Sequence, residues 1–330
     1  MKISLIIPVY NAADHLEECL KAVTSQDYPD YEVVVVDDCS TDNSREIVGK
    51  YPVRVVVMPV NSGASAARNA GVQEAKADYL VLVDSDVVLA PDSLTRLKQS
   101  HDLRPDMAII VGVYSENSAH LGVVSDYKNL DLVYRGASSE ELKKYAASYC
   151  ISLYKNTYLE AGGFDETLTG ATAEDIDFGL RVCKGERLVF NDRSIAVDHL
   201  KRYSLWGMLR TNYYRLISMA RIRHTAEVPL EVSSNSSIEP ILNLFLPMLT
   251  TLLAFGWLTS VLSLWPLAAV SAFFLGLNMP FFNFLRTRRG SLFMVAGAAL
   301  LFVEYFHAFI SLCMGFIQFP PPGLKKVVGR

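Results

Sequence analysis

Charge is what this 330-residue chain has least of, and its absence is concentrated toward one end. Charged residues make up 20% of the sequence against 51% hydrophobic ones. Pro240 to Leu285 contains no charged side chain, and neither does Leu292 to Val303. A helix that crosses a bilayer needs ~20 apolar residues. The first block therefore accommodates two passes, with Ser263-Leu264-Trp265-Pro266 as the tight turn between them. A net charge of −4 without any domain-wide basic bias argues against nucleic acid as a partner. The five cysteines, Cys19, Cys39, Cys150, Cys183 and Cys313, form no CxxC pair. Their odd count argues against a disulfide framework and for reduced thiols in a cytosolic compartment. A G-x-G-x-x-G after the first apolar run is also missing, which removes support for a nicotinamide dinucleotide. That run, Met1 to Pro8, is too short for a signal peptide and leads into Asp14, Glu17 and Glu18, so we read it as a strand.

What is present in the first half is an alternation of short apolar strands and helices. Strands are expected at Ser4 to Val9, Glu32 to Val36, Arg54 to Met58, Asp78 to Val83 and Met107 to Val113. Helices are expected at Ala13 to Ser25, after the Ser40 to Ser44 capping cluster, at Ala64 to Ala75 and at Pro91 to Gln99. This order implies a parallel sheet with right-handed crossovers. Ser115 to Lys144 carries no clear period. Ser204 to His224 combines Trp206, Tyr213 and several leucines with Arg210, Arg215, Arg221 and Arg223, a composition suited to a membrane interface or to ordinary domain packing. Glu227 to Glu239 reads as a linker. Arg286, Arg288 and Arg289 after the second pass place that end on the cytoplasmic side. Leu292 to Phe319 is ambiguous. As a span it would put Lys325, Lys326 and Arg330 outside, and it holds Glu304 and His307 on one face.

Chemistry-bearing residues gather where strands end. Asp84-Ser85-Asp86 follows the apolar run Tyr79 to Val83. Ligands in open α/β sheets bind beyond the carboxyl ends of strands. Two carboxylates one residue apart suit a hard divalent cation that carries substrate phosphates. They equally suit a solvated turn with an Asp cap. Pro8-Val9-Tyr10-Asn11 ends the first strand, and Asp37-Asp38-Cys39-Ser40 with Asp42 ends the second. Gly63-Ala64-Ser65-Ala66-Ala67-Arg68-Asn69-Ala70-Gly71 precedes the Asp pair. Gly162-Gly163-Phe164-Asp165-Glu166 and then Ala173-Glu174-Asp175-Ile176-Asp177-Phe178 come after it.

Taken in that order, over about residues 1 to 200, these clusters resemble the inverting family 2 glycosyltransferases. The resemblance implies an α/β fold of GT-A type: a Rossmann-like nucleotide-sugar domain with a mixed sheet at 1–203. An amphipathic interface helix and linker would follow at 204–239, then membrane helices at 240–330. It gives Asp38, with Asp37 beside it, the nucleobase, and makes Pro8 and Tyr10 the wall over which base and ribose lie. Arg68 would neutralise the diphosphate or fix neighbouring carboxylates. Asp86 would ligate Mg²⁺ or Mn²⁺ directly, while Asp84 meets ribose or metal-bound water and Ser85 lines the same nucleotide-sugar site. His199 would add a metal or diphosphate contact; a structural histidine is the plainer alternative. Asp175 would be the base that deprotonates an acceptor hydroxyl, with Glu174 positioning acceptor or base. A helix N-terminus favouring acidic residues is the competing explanation for that pair.

The implied partners are a nucleotide-diphosphate sugar, a lipid-linked or glycan acceptor and membrane lipids, with the catalytic domain on the cytoplasmic face of the cell membrane. The Gln-x-x-Arg-Trp signature of the processive polymer synthases is absent, which favours addition of one sugar. A polyprenyl phosphate acceptor needs no base and fits Glu174-Asp175 less well. From other classes, Asp84-x-Asp86 also suits an aspartyl-phosphate phosphatase, whose pair belongs to the first strand rather than the fourth, and a non-catalytic membrane scaffold is the remaining alternative.

Overall fold

The computed structural model describes residues 2–118, 121–138, 142–143, 147–168, 173–183, 188–226 and 239–319. It divides into two compact units, Met1–Gly122 with Arg135–Arg202, and Val123–Tyr134 with Tyr203–Arg330.

The first unit is built on strands β1 (Ile3–Val9), β2 (Tyr31–Asp37), β3 (Arg54–Val57), β4 (Tyr79–Val83), β5 (Val87–Leu89), β6 (Met107–Tyr114), β7 (Leu142–Lys143), β8 (Cys150–Tyr154) and β9 (Leu188–His199). They form one sheet in the order β3-β2-β1-β4-β8-β6-β9-β5, with β7 beside β9. β3, β2, β1 and β4 run parallel. β8 is antiparallel to both β4 and β6, so the sheet is mixed, as the GT-A expectation requires. The chain winds outward from β1 in both directions, to β2 and then back across to β4. The crevice between their carboxyl ends is therefore a topological switch point.

All seven β1 residues are buried because the sheet is covered on both faces. Ile3, Leu5, Ile7 and Val9 pack toward α1 (Leu16–Thr24) and α4 (Ser93–Leu103), through Leu16, Leu20, Leu94 and Leu97. Ile6 points the other way, with Val34, Val36, Leu80 and Leu82, toward Ala67 and Val72 of α3 (Ala64–Glu74), Tyr158 of α6 (Lys155–Glu160) and Phe178 of α7 (Glu174–Val182). Each such side chain contributes ~1.5–3 kcal/mol on full burial. The short α2 (Ser44–Val48) completes this unit. α3 approaches closely because Gly71 faces β1 and β2: a Cβ there would collide with Ile6 and sit 3.1 Å from Val36. α4 starts at Ser93, behind Asp92, so Pro91 precedes the helix instead of opening it.

The second unit takes its first helical turns from α5 (Val123–Ser138), inside the stretch whose period was illegible in sequence. It continues with α8 (Leu205–Ala226), α9 (Glu239–Leu258), α10 (Leu264–Leu277), α11 (Met279–Arg289) and α12 (Ser291–Gln318). Its core includes Tyr127, Leu130, Met208, Phe274, Phe281, Leu285 and Leu301. Among the described residues, two helices are long and apolar enough to cross a membrane, α9 from Ile241 and α12. The expected second pass is broken, however. α10 and α11 meet at an angle of 61°. Asn278 stands at the break and exchanges side-chain hydrogen bonds with Asn243 of α9, at 2.7 and 3.0 Å, with both residues buried. An uncharged run hides such a break, since hydropathy does not register an amide pair. Glu304, at mid-helix in α12, is buried and accepts hydrogen bonds from Lys128 (2.5 Å), Asn212 (2.7 Å) and Tyr127 (2.9 Å). The linker at 227–238 lies outside the described residues.

Candidate active site

The carboxyl ends of β1 and β2 are laced together before any substrate contact is considered. Pro8 is buried in β1, whereas Tyr10 just past it is 49% exposed, and Asn11 takes a left-handed conformation at φ 47°. The Asn11 side chain accepts from the Thr41 amide (2.8 Å), and the Asp42 carboxylate accepts from the Ala13 and Ser44 amides (3.0 Å each). Asp42 is thus a loop brace. Asp37 is buried and accepts from Arg45 Nε at 2.5 Å. Asp38 is also buried, and its two oxygens accept the Ser62 and Gly63 amides, both at 2.7 Å. The residue expected at the nucleobase therefore also fixes the turn into α3. A second acceptor direction on each oxygen is what a base N–H would use.

Arg68 is 3% exposed. Its Nη2 donates to Asp84 at 2.6 Å and its Nη1 to Glu174 at 3.4 Å. Its guanidinium carbon lies 5.1 Å from the centre of the Phe164 ring. Burial alone would lower the Arg68 pKa, but the Asp84 and Glu174 carboxylates outweigh it and keep the cation firmly charged. Burial raises the Asp84 pKa above the usual carboxylate range and the neighbouring Asp86 charge adds to it, against the pull of Arg68. Asp86 behaves oppositely. Burial pushes it up, yet His199, Lys201 and His15 together hold it at about 2. His199 Nε2 lies 3.8 Å from Asp86, and β9 brings it there through pairing with Val87. The imidazole stacks on Tyr114 (4.5 Å), which stacks in turn on Tyr149 (3.9 Å). Ser85 sits half-buried in the turn between the two aspartates.

Asp175 and Glu174 open α7, and one Asp175 oxygen accepts the Ile176 amide at 2.8 Å. The loop before them is expected to close over donor; its residues 169–172 lie outside the described residues. The structure brings Arg68, Asp84 and Glu174 into contact and pairs Asp86 with His199. Asp37 and Asp38 are held separately, by Arg45 and the α3 turn. Among the described residues, no three His, Cys, Asp or Glu side chains are close enough together to form a metal cage.

Sequence reasoning gave no role to several residues that build this site. Asn69 is saturated: its amide donates to the Phe164 carbonyl (2.9 Å) and to Glu166 (2.7 Å), and its oxygen accepts from the Phe164 amide (2.9 Å) and Tyr158 hydroxyl (2.5 Å). Gly163 makes this possible, since its φ is +68° and a Cβ would lie 2.7 Å from Asn69 Oδ1. Arg181 clamps the same turn through the Ala161 and Gly163 carbonyls while pairing with Asp177. Asn69 stood within the Gly63 to Gly71 motif, beside Arg68, which was the available signal. Arg181 offered only its i, i+4 spacing from Asp177.

Comparison with known proteins fits this geometry. Residues 4–163 match the family described as Glycosyl transferase family 2. Glycosyltransferase GlyA of Streptococcus pneumoniae is 30% identical over 222 residues, 62% of this chain and 31% of that protein. The poly(ribitol-phosphate) beta-glucosyltransferase of Bacillus spizizenii is 43% identical over 104 residues, 29% of this chain and 16% of its own length. The matches thus span less than a third of these two relatives. Among solved structures, the mannosyltransferase PcManGT from Pyrobaculum calidifontis, in complex with GDP-Man and Mn²⁺, superposes with a TM-score of 0.63 at 20% identity. That match covers 90% of this chain and 86% of PcManGT, and at such identity it speaks to fold alone. On its motifs, its mixed sheet and these matches, the chain carries a glycosyl transferase family 2 domain over residues 4–163, and its first unit has the GT-A fold.

Proposed function

We propose that the protein is a membrane-anchored inverting glycosyltransferase that moves one sugar from a nucleotide-diphosphate donor to a hydroxyl of a lipid-linked or glycan acceptor. The observation that carries this reading is the meeting, through Arg68, of Asp84 at the end of β4 with Glu174 at the start of α7, Asp86 following the first closely in sequence and Asp175 adjoining the second. Asp38 takes the base, and Pro8 and Tyr10 flank it. Asp86, kept ionised near neutral pH, is the group that would hold Mg²⁺ or Mn²⁺, with Asp84 or His199 as a neighbouring contact, while oxygens of the diphosphate and water would supply the other ligands. The cation would supply Lewis-acid stabilisation of the departing nucleoside diphosphate. PcManGT, solved with GDP-Man and Mn²⁺, is consistent with that requirement.

Asp175 removes the proton of the acceptor hydroxyl, and Glu174, paired with Arg68, orients it. A carboxylate in this role contributes about 10²–10⁴ in rate. The anchor is supplied by α9, α12 and the bent α10–α11 pair, with the catalytic unit on the cytoplasmic side of the cell membrane. Acceptors of the cell-envelope polymer class accord with the poly(ribitol-phosphate) substrate named for the Bacillus relative. The test is Asp175→Asn, assayed on the donor that wild type turns over. We expect kcat to fall by about 10²–10⁴ with donor binding unchanged. Turnover near the wild-type level would sink the hydroxyl-acceptor reading and point to an acceptor that is already anionic, such as a polyprenyl phosphate.

A further inference from the structure

Arg68 is one buried cation shared between two carboxylates that belong to opposite halves of the reaction. Asp84, at the end of β4, lies on the donor side, and Glu174, at the start of α7, lies on the acceptor side. The sharing is unequal, 2.6 Å to Asp84 against 3.4 Å to Glu174, so the guanidinium is committed to the donor-side carboxylate. Its Nε is buried without a hydrogen-bond partner, so the head group is hydrogen-bonded through its two terminal nitrogens. Beneath it lies the Phe164 ring, and Phe164 stacks on Phe178 of α7 with centroids 4.4 Å apart. α7 therefore contacts Arg68 by two routes, one ionic through Glu174 and one aromatic through Phe178 and Phe164. Neighbouring Asn69 holds Phe164 by its backbone, which keeps the aromatic route fixed.

We infer that Arg68 is a positioning residue that couples the two substrate sites: when Asp84 turns to the donor, Arg68 closes on Glu174 and fixes the first turn of α7. The coupling rests on the functional reading above, since it needs a donor that engages Asp84. By linkage, whatever tightens the Arg68–Glu174 contact on donor binding must also tighten donor binding on acceptor engagement.

Hydrogen exchange on the full-length protein in detergent tests this, with UDP or GDP plus Mn²⁺ as probes and residues 173–183 as the reporter. In wild type, the nucleotide that binds should slow exchange in the first turn of α7 by about tenfold, within the range typical of site coupling. Arg68→Lys retains the charge but presents a single ammonium that does not bridge two carboxylates in this geometry. Glu174→Gln leaves the Arg68–Asp84 pair intact and guards against loss of fold in the first variant. Both should bind the nucleotide in the absence of acceptor while losing the protection of α7, and Glu174→Gln should raise the acceptor KM by about tenfold. Protection that persists in Glu174→Gln, or that never appears in a wild type that binds nucleotide, overturns the coupling alone. A wild type that binds neither nucleotide with Mn²⁺ nor any nucleotide sugar overturns the functional reading and the coupling with it.

Discussion

Both units of this protein bury charge, and they use it in opposite ways. In the first unit, Asp84 and Asp86 sit at a strand end with their side chains still 30% and 16% exposed. In the second, Lys128 pairs with both Asp131 and Glu304, Tyr127 and Asn212 also donate to Glu304, and Arg289 is matched with Asp126 at 2.8 Å. The lesson is that buried charge does not by itself mark a site. A network whose acceptors are already occupied holds helices together. One with acceptor capacity left over at a topological switch point is available to bind.

Single substitutions should separate the two uses. The largest effect is expected for Asp86→Asn, which should lower sugar transfer about 10³-fold, the scale for removing a key electrostatic group at a reacting centre. Its cost in stability should be no more than about 2.5 kcal/mol, because the drop in the Asp86 pKa from 3.8 to about 2 converts at ~1.4 kcal/mol per unit. Glu304→Leu should do the reverse. Removing the acceptor shared by Lys128, Asn212 and Tyr127 should cost about 3 kcal/mol in stability, read by thermal unfolding in detergent, with turnover per folded molecule little altered. Equal loss of activity from both variants would erase the distinction.

Packing gives the next, smaller contrast. Gly71→Ala drives a methyl into Ile6 and should destabilise the first unit by about 1–3 kcal/mol, measured by chemical denaturation.

How much of this was legible in sequence follows from how local each signal is. The strand-end clusters were legible because each is a short string at a predictable place, and their order specified the GT-A sheet. Partnerships across the chain were not: Arg68 meets Glu174 over a separation of 106 residues and Asn69 meets Phe164 over 95. α5 was hidden because it is divided between the units: its first turns face the helical core through Tyr127 and Leu130, so it shows no single clean stripe. The break at Asn278 was hidden because Pro240 to Leu285 is uniformly uncharged, and a hydropathy pattern cannot distinguish a straight span from a bent one.

The smallest expected effect concerns pH. Burial lowers the pKa of His101, whose Nδ1 is 3.2 Å from the Tyr79 hydroxyl in the core beneath the sheet. Its unfolded form binds a proton more readily than its folded form. Stability should therefore fall as pH drops below about 6.5, the unperturbed value, toward the lowered folded-state value. In His101→Gln that acid-side slope should flatten, as followed by denaturation midpoints between pH 7 and 5. An unchanged slope would assign the pH dependence to other groups.

The most direct test of the central claim is calorimetric titration of purified full-length protein with UDP and GDP, with and without Mn²⁺, in wild type and Asp86→Asn. The account predicts that one nucleotide binds wild type in a metal-dependent manner and that the substitution abolishes the metal dependence together with most of the affinity. Binding of equal strength in both proteins, indifferent to metal, would contradict the assignment of the strand-end carboxylates to the departing diphosphate.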